Sequence, residues 1–268
     1  MAPPTYASFD VPGYIGALRR QGELLAGAAQ RSGLAAAVPS CPGWAVRDLL
    51  KHTGYVHRWA TGFVAEGLTR PVGESEEEIL GQGPADADLP GWFREGHAAL
   101  VRALGTAEPD LNCWAFLAAP SPLAFWARRQ AHETAIHRVD AEQAAADAPA
   151  VPGNGTAFEP TFAADGVDEL LMGFLARSIQ RGNWAGLGGS LAIHADDGTG
   201  GGADWLIAGG PEAPCVSRGT GRTDCDVTGP ASDLYLMLWN RGPADRLQVT
   251  GDPGILAAFG RELQITWS

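Results

Sequence analysis

The spacing of apolar residues changes character about halfway along the chain. Through the first half, apolar positions recur every three or four residues, as they do on one face of a helix. Ser121 followed by Pro122 is a favourable helix start, because serine caps free N–H groups and proline fits the first turn. The pattern predicts four long helices, over residues 10–36, 44–66, 92–104 and 121–139. Such helices, joined by loops of moderate length, are typical of an up-and-down bundle.

The second half is richer in glycine, and its apolar runs are shorter. It opens with an amphipathic pattern from Val167 to Ile179, which predicts a helix. We expect strands at residues 190–194, 204–207, 225–228 and 247–250, with helices at 231–240 and 253–259. Because helices and strands do not alternate strictly, the pattern favours an α+β domain with an antiparallel sheet and helices on one face.

The stretch between these halves is low in charge and rich in proline and glycine, which is typical of a linker. We therefore predict a helical bundle over residues 1–148, a linker over 149–162 and an α+β domain over 163–268. The fold class of the whole chain is then α+β.

Composition narrows the range of partners. The chain has 19 basic and 31 acidic side chains and a formal net charge of −12, which argues against binding to nucleic acid or to anionic membranes. No apolar run reaches the length of a membrane span, and no secretory signal precedes the first helix, so we expect a cytoplasmic protein. The four cysteines form no CxxC pair, and we expect them to be reduced apolar fillers.

Three side chains suggest a metal site. Glu133 and His137 are four residues apart, so both lie on one face of the predicted fourth helix. His52 shares a face of the second helix with apolar residues and should point inward. Two imidazoles and one carboxylate, with one position left open, suit a catalytic divalent metal. The spacing alone leaves open that His137 is a hydrogen-bonded core histidine and Glu133 a surface acid.

Two further histidines compete with these candidates. His57 and His132 are each five residues from the nearest candidate histidine, about 140° around the helix. We therefore place both outside the ligand set, either beside it or on the surface.

Several motifs bear on identity. Residues 38–44 (VPSCPGW), 48–52 (DLLKH) and 131–142 (AHETAIHRVDAE) resemble the signature regions of the mycothiol-dependent maleylpyruvate isomerase family. Residues 227–241 and 249–252 are similar to the small second domain of that family. The resemblance implies a DinB-like metal-binding bundle, with a metal, normally zinc, at His52, Glu133 and His137. It also implies mycothiol as the thiol cosubstrate and a functional role for Arg241.

A metal held by these ligands keeps net positive charge, and a thiol bound to it loses its proton near neutral pH. We expect an enzyme that directs this thiol at an electrophilic small molecule, and we prefer an S-transferase. The alternatives are a cis–trans isomerase of the maleylpyruvate type, a non-catalytic metal-containing binding module and a metal-dependent hydrolase. Arg241 would clamp a substrate carboxylate; otherwise it is an exposed arginine at a helix C-terminus. The acceptor and the oligomeric state stay open.

Overall fold

The structure is a computed structural model that describes residues 9–71, 83–144, 157–184, 186–196, 202–209 and 214–263. Short terminal segments aside, the chain forms two compact units, Asp10–Thr156 and Ala157–Thr266, which we call the bundle unit and the sheet unit. Of the predicted linker, residues 149–156 lie outside the described residues. Its last residues, from Pro160, already belong to a helix.

The bundle unit contains the four predicted helices. They are α1 (Val11–Ser32), α2 (Val46–Glu66), α3 (Leu89–Thr106) and α4 (Pro122–Gln143). Asp10 caps α1 by accepting a hydrogen bond from the amide of Gly13, and Ser121 caps α4 as its sequence predicts. Helix α1 packs along α4, and α2 packs along α3. None of the helices in the described residues combines the length and apolar character needed to cross a bilayer.

Helix α4 is buried on nearly all sides and carries polar side chains into the interior of the bundle. Its buried polar and charged residues are Arg129, Gln130, His132, Thr134, His137, Arg138 and Asp140. A helix buried all round is normally apolar, since each buried polar group needs a hydrogen-bonding partner. The polar groups that α4 carries into the bundle therefore need hydrogen-bonding partners on neighbouring elements or on α4 itself.

The sheet unit opens with one long helical segment and continues into a five-stranded sheet. The segment comprises α5 (Pro160–Asp168), a π-helical stretch (Glu169–Leu175) and α6 (Ala176–Gln180). The strands are β1 (Leu191–Asp196), β2 (Gly202–Ala208), β3 (Cys215–Arg218), β4 (Cys225–Pro230) and β5 (Gln248–Gly251), in the order β3-β2-β1-β4-β5. Helix α7 (Ala231–Leu238) follows β4, and α8 (Pro253–Glu262) follows β5. The predicted α+β class is confirmed.

The sheet is mixed, whereas the sequence predicted an antiparallel one. Strands β1 and β4 run parallel, with Leu191 opposite Cys225, and the other neighbouring strands are antiparallel. The sequence pattern revealed neither the short strand β3 nor the pairing of β4 with β1, and this pairing is what makes the sheet mixed. Each hairpin reverses the chain, so β3 runs in the same direction as β1, and the chain then crosses to β4 on the other side of β1.

A buried carboxylate at the end of α5 ties the helical segment to the sheet. Asp168 accepts a hydrogen bond from the indole N–H of Trp205 on β2 at 3.0 Å. Arg218 on β3 donates to both of its oxygens, at 2.6 and 2.7 Å. Such a bidentate pair fixes the relative positions of three elements within the sheet unit.

Candidate metal centre

The bundle unit brings the three predicted ligands together. Nε2 of His52 on α2 lies 3.3 Å from Oε1 of Glu133 on α4. Nε2 of His137, one turn further along α4, lies 3.2 Å from the same oxygen. One nitrogen or oxygen atom from each of the three side chains lies within 4.8 Å of the others. Residues 81 positions apart in the sequence thus converge on one point inside the bundle.

These separations fit a divalent metal. Nitrogen and carboxylate oxygen ligands lie about 2.0–2.1 Å from zinc, and at tetrahedral angles two of them are then about 3.3 Å apart. The two nitrogen–oxygen separations, 3.3 and 3.2 Å, lie within 0.1 Å of this value. Two imidazoles and one carboxylate also form a common ligand set of catalytic zinc sites, in which the fourth position accepts water or substrate. The residues present therefore fit such a metal.

The electrostatics of the cluster follow from its hydrogen bonds. Burial acts to lower the pKa of His137, but hydrogen bonds to Asp140 and Glu133 outweigh it and raise that pKa to about 9. Burial acts to raise the pKa of Glu133, but hydrogen bonds from His137 and His52 hold it well below its usual range. Glu133 is thus an ionised carboxylate inside the bundle, with its side chain only 17% exposed, and is not a surface acid.

Neighbouring side chains restrain both ligands on α4. Arg129, one turn before Glu133, donates from Nη2 to Oε2 of Glu133 at 2.8 Å, which leaves Oε1 directed at the histidines. Asp140 accepts a hydrogen bond from Nδ1 of His137 at 2.9 Å. A carboxylate on the far nitrogen of a metal-binding histidine is a common arrangement, because it orients the ring and raises its basicity.

The loop between α1 and α2 closes over the same region. The hydroxyl of Ser40 and the thiol of Cys41 both donate to Asp140, and the thiol sulfur lies 3.7 Å from Oδ2. The ring of Trp44 packs on His52 with centroids 5.1 Å apart. The sequence motifs singled out this loop, but nothing in them indicated which side chains of α4 it contacts, about 100 residues away. For Arg129, by contrast, a signal was available, since it precedes Glu133 by four residues.

The competing histidines lie elsewhere in the bundle. His57 is fully buried, with Nε2 at 2.9 Å from the hydroxyl of Thr134, and His132 is fully buried near Tyr14. Neither belongs to the cluster, and neither lies on the surface. The helices α2 and α4 bury more than one face each, which the 140° argument did not allow for.

The structure also shows where the cysteines and Arg241 lie. Cys113 and Cys225 are buried as expected, but Cys215 is exposed and is not a core filler. Arg241 lies in the sheet unit just after α7, half-buried, and its Nη1 donates to the carbonyl of Trp239 at 2.8 Å. This contact is the one expected of an arginine at a helix C-terminus, and the predicted substrate contact of Arg241 stays a prediction.

Comparison with known proteins identifies relatives of both units. Residues 15–142 match the family model described as the mycothiol maleylpyruvate isomerase N-terminal domain, and residues 161–258 match the model of the corresponding C-terminal domain. No curated protein is significantly similar in sequence.

Among solved structures, a mycothiol-dependent maleylpyruvate isomerase superimposes with a TM-score of 0.62 at 15% identity. A mutant of a mycothiol-dependent maleylpyruvate isomerase gives the same score at 14% identity. Each match covers 90% of this chain and 93% of the other. At this identity the likeness shows a shared fold.

Proposed function

Because the chain belongs to the mycothiol maleylpyruvate isomerase family, we propose that it is a mycothiol-dependent cis–trans isomerase acting on a small unsaturated acid of the maleylpyruvate type. The observation that carries the proposal is the convergence of His52, Glu133 and His137 within the region that matches the family's N-terminal domain. The sequence alone led us to prefer an S-transferase. Membership of this family favours an isomerase, because an isomerisation leaves the thiol unconsumed.

In this proposal His52, Glu133 and His137 hold one divalent cation, with zinc as the expected metal. Two neutral imidazoles and one carboxylate leave a bound divalent cation with net positive charge, which lets the thiol of mycothiol ionise near neutral pH. Reversible addition of such a thiol to a cis double bond creates a single bond that can rotate, and elimination then restores the thiol. The protein has to orient the ligands and the substrate.

The chain's own residues divide this work. Asp140 keeps the proton on Nδ1 of His137, so that Nε2 is the nitrogen available to a cation. Arg129 neutralises and fixes the outer oxygen of Glu133. We propose that Arg241 binds the carboxylate of the substrate, since a guanidinium can bind a carboxylate through two parallel hydrogen bonds.

The test uses the zinc-loaded protein, maleylpyruvate and mycothiol at a concentration far below that of the substrate. We expect many turnovers per thiol, with the free thiol concentration unchanged at the end. The variant His52→Ala should lose metal and turnover together. The matched control is His97→Ala, which also removes a buried histidine of the bundle, and it should retain stoichiometric zinc.

Other outcomes identify the alternatives. Consumption of one thiol per product would establish the S-transferase instead, and turnover without any thiol would indicate hydrolysis or another metal-dependent reaction. Stoichiometric zinc without any turnover on a panel of electrophiles would favour the binding module.

A further inference from the structure

Asp140 is a fully buried carboxylate at the inner end of the candidate metal centre. A buried carboxylate needs hydrogen-bond donors to offset the loss of hydration. Its Oδ2 atom accepts from Nδ1 of His137 at 2.9 Å, and its Oδ1 atom accepts from the hydroxyl of Ser40. Oδ2 thus binds α4 and, through the thiol of Cys41, also the loop between α1 and α2, whereas Oδ1 binds the hydroxyl of Ser40 in that loop.

That loop is held in place by its own hydrogen bonds. We call residues 38–44 the site loop. The amide of Val38 donates to the carbonyl of Trp44, the amide of Trp44 donates to the carbonyl of Cys41, and the amide of Cys41 donates back to the carbonyl of Val38, at 2.9 to 3.1 Å. The side chain of Val38 is 2% exposed and anchors the loop in the bundle core. The position of Ser40 is therefore set by the loop, independently of Asp140.

The site loop contacts one side chain on each of the two helices, α2 and α4, that carry the proposed ligands. Its Trp44 ring packs on His52 of α2, and its Ser40 hydroxyl binds Asp140 of α4. His137 and the thiol of Cys41, which is a weak donor, both bind the same oxygen of Asp140, Oδ2. The hydroxyl of Ser40 fixes the second oxygen and so fixes the plane of the carboxylate.

We propose that Ser40 is a positioning residue for the metal centre. By fixing Asp140, it holds the His137 ring with the proton on Nδ1 and with Nε2 directed at Oε1 of Glu133, 3.2 Å away. Ser40 touches neither metal nor substrate and acts through two intervening side chains. The inference rests on the proposed function only in taking His137 as a ligand.

The test measures Co²⁺ binding to the full chain, with cobalt in place of zinc because its visible absorption reports the ligand geometry. Substitution Ser40→Ala should weaken Co²⁺ binding about tenfold, at the lower end of the 10- to 100-fold effects seen when groups that support metal ligands are removed. It should also alter the visible spectrum. Ser40→Thr restores the hydroxyl and should restore both affinity and spectrum.

Ser32→Ala is the matched control. The hydroxyl of Ser32 donates to the carbonyl of Ala141, the residue after Asp140, at 2.9 Å, so the substitution removes a similar half-buried hydrogen bond at the same turn of α4. Its thermal stability should fall as much as that of Ser40→Ala, while its Co²⁺ affinity and spectrum should stay as in the wild type.

The outcomes separate the two proposals. A wild-type chain that binds no Co²⁺ would overturn the proposed metal centre itself. Wild-type binding, with Ser40→Ala and Ser32→Ala equally unchanged or equally weakened, would overturn the role of Ser40 and leave the metal centre standing. Should Ser40→Ala fail to fold, Ser40→Thr still decides, because loss of affinity in that folded variant would contradict a role for the hydroxyl.

Discussion

At the scale of single residues, the interior of the bundle pairs each of its described charges with a hydrogen-bonding group. Arg129 meets Glu133, and Arg138 donates to Gln21 and to Glu142. Desolvating such a pair is costly, so its net contribution to stability is small. Removing one partner is a different matter, because the other charge then stays buried without compensation.

This asymmetry gives a first prediction. Replacing Arg129, which is 3% exposed, by methionine leaves Oε2 of the Glu133 carboxylate without its guanidinium donor. We expect the free energy of unfolding to fall by about 2–4 kcal/mol, somewhat below the usual range for fully buried pairs because Glu133 is partly exposed. Urea denaturation of the metal-free protein measures the change. The same substitution at the half-buried Arg128 is the control and should cost less than about 1 kcal/mol; equal losses would show that the guanidinium–carboxylate pair is not what matters.

The residues of the candidate site differ in how far the sequence could reveal them. Glu133 and His137 are four residues apart on one helix, and that spacing by itself fixes their shared face. The apolar neighbours of His52 on α2 indicated that its side chain points inward. Ser40 gave no such signal, because its contact with Asp140 joins residues 100 positions apart. Hydrogen bonds of that kind depend on the packing of the bundle, which residue spacing does not encode.

At the scale of elements, the approach of α1 and α3 depends on a residue without a side chain. Gly22 of α1 is buried against His97 of α3, and a Cβ atom on Gly22 would lie 2.2 Å from Nε2 of that histidine. The same nitrogen lies 3.0 Å from the carbonyl of Leu18, one turn earlier on α1. A methyl group at Gly22 would therefore displace a buried, hydrogen-bonded ring.

A pair of substitutions in α1 isolates this effect. Gly22→Ala should lower the free energy of unfolding by about 1–3 kcal/mol, because overpacking outweighs the better helix propensity of alanine. Gly16→Ala lies in the same helix, where nothing beyond the adjoining backbone of α1 comes within 4 Å of the new methyl group, and it should raise stability by about 0.4–1 kcal/mol. Thermal and urea unfolding of both variants provide the comparison. The same sign of change in both would contradict the packing argument.

The sequence predicted helices and strands best where the apolar pattern repeats many times. Helices α1 to α4 each repeat the apolar pattern over many turns, and all four were found near their predicted ranges. Strand β3 has only four residues with no buried position among them, so no alternation marks it. The pairing of β4 with β1 was missed as well, because the spacing of residues within a strand does not specify its neighbours in the sheet. The π-helical stretch was also missed, because apolar spacing predicts a helix without specifying its hydrogen-bond pattern.

At the scale of the whole molecule, buried histidines make stability depend on pH. Burial lowers the pKa of His57 well below its ordinary value, and the nearby His97 lowers it further. Burial also lowers the pKa of His97, by more than its hydrogen bond to the Leu18 carbonyl raises it. At these two histidines the unfolded chain therefore binds more protons than the folded one below about pH 6.5.

The free energy of unfolding should accordingly fall as pH drops below about 6.5, by up to about 1.4 kcal/mol per pH unit for each such histidine. The variant His97→Gln removes one titrating group and keeps a donor for the Leu18 carbonyl. Urea unfolding of the metal-free wild type and this variant at pH 7.5, 6.5 and 5.5 tests the difference between their slopes. That difference cancels the contribution of the acidic side chains, and parallel curves would show that His97 is not a source of the acid sensitivity.

The three proposed ligands, the groups that restrain them and the loop beside them all come from residues 38–140, within the bundle unit. Substitutions confined to the sheet unit should therefore leave the proposed ligands and their supporting groups in place. A change in that unit that alters the contacts of Arg241 would then change the substrate that the chain accepts and would keep the same cation chemistry.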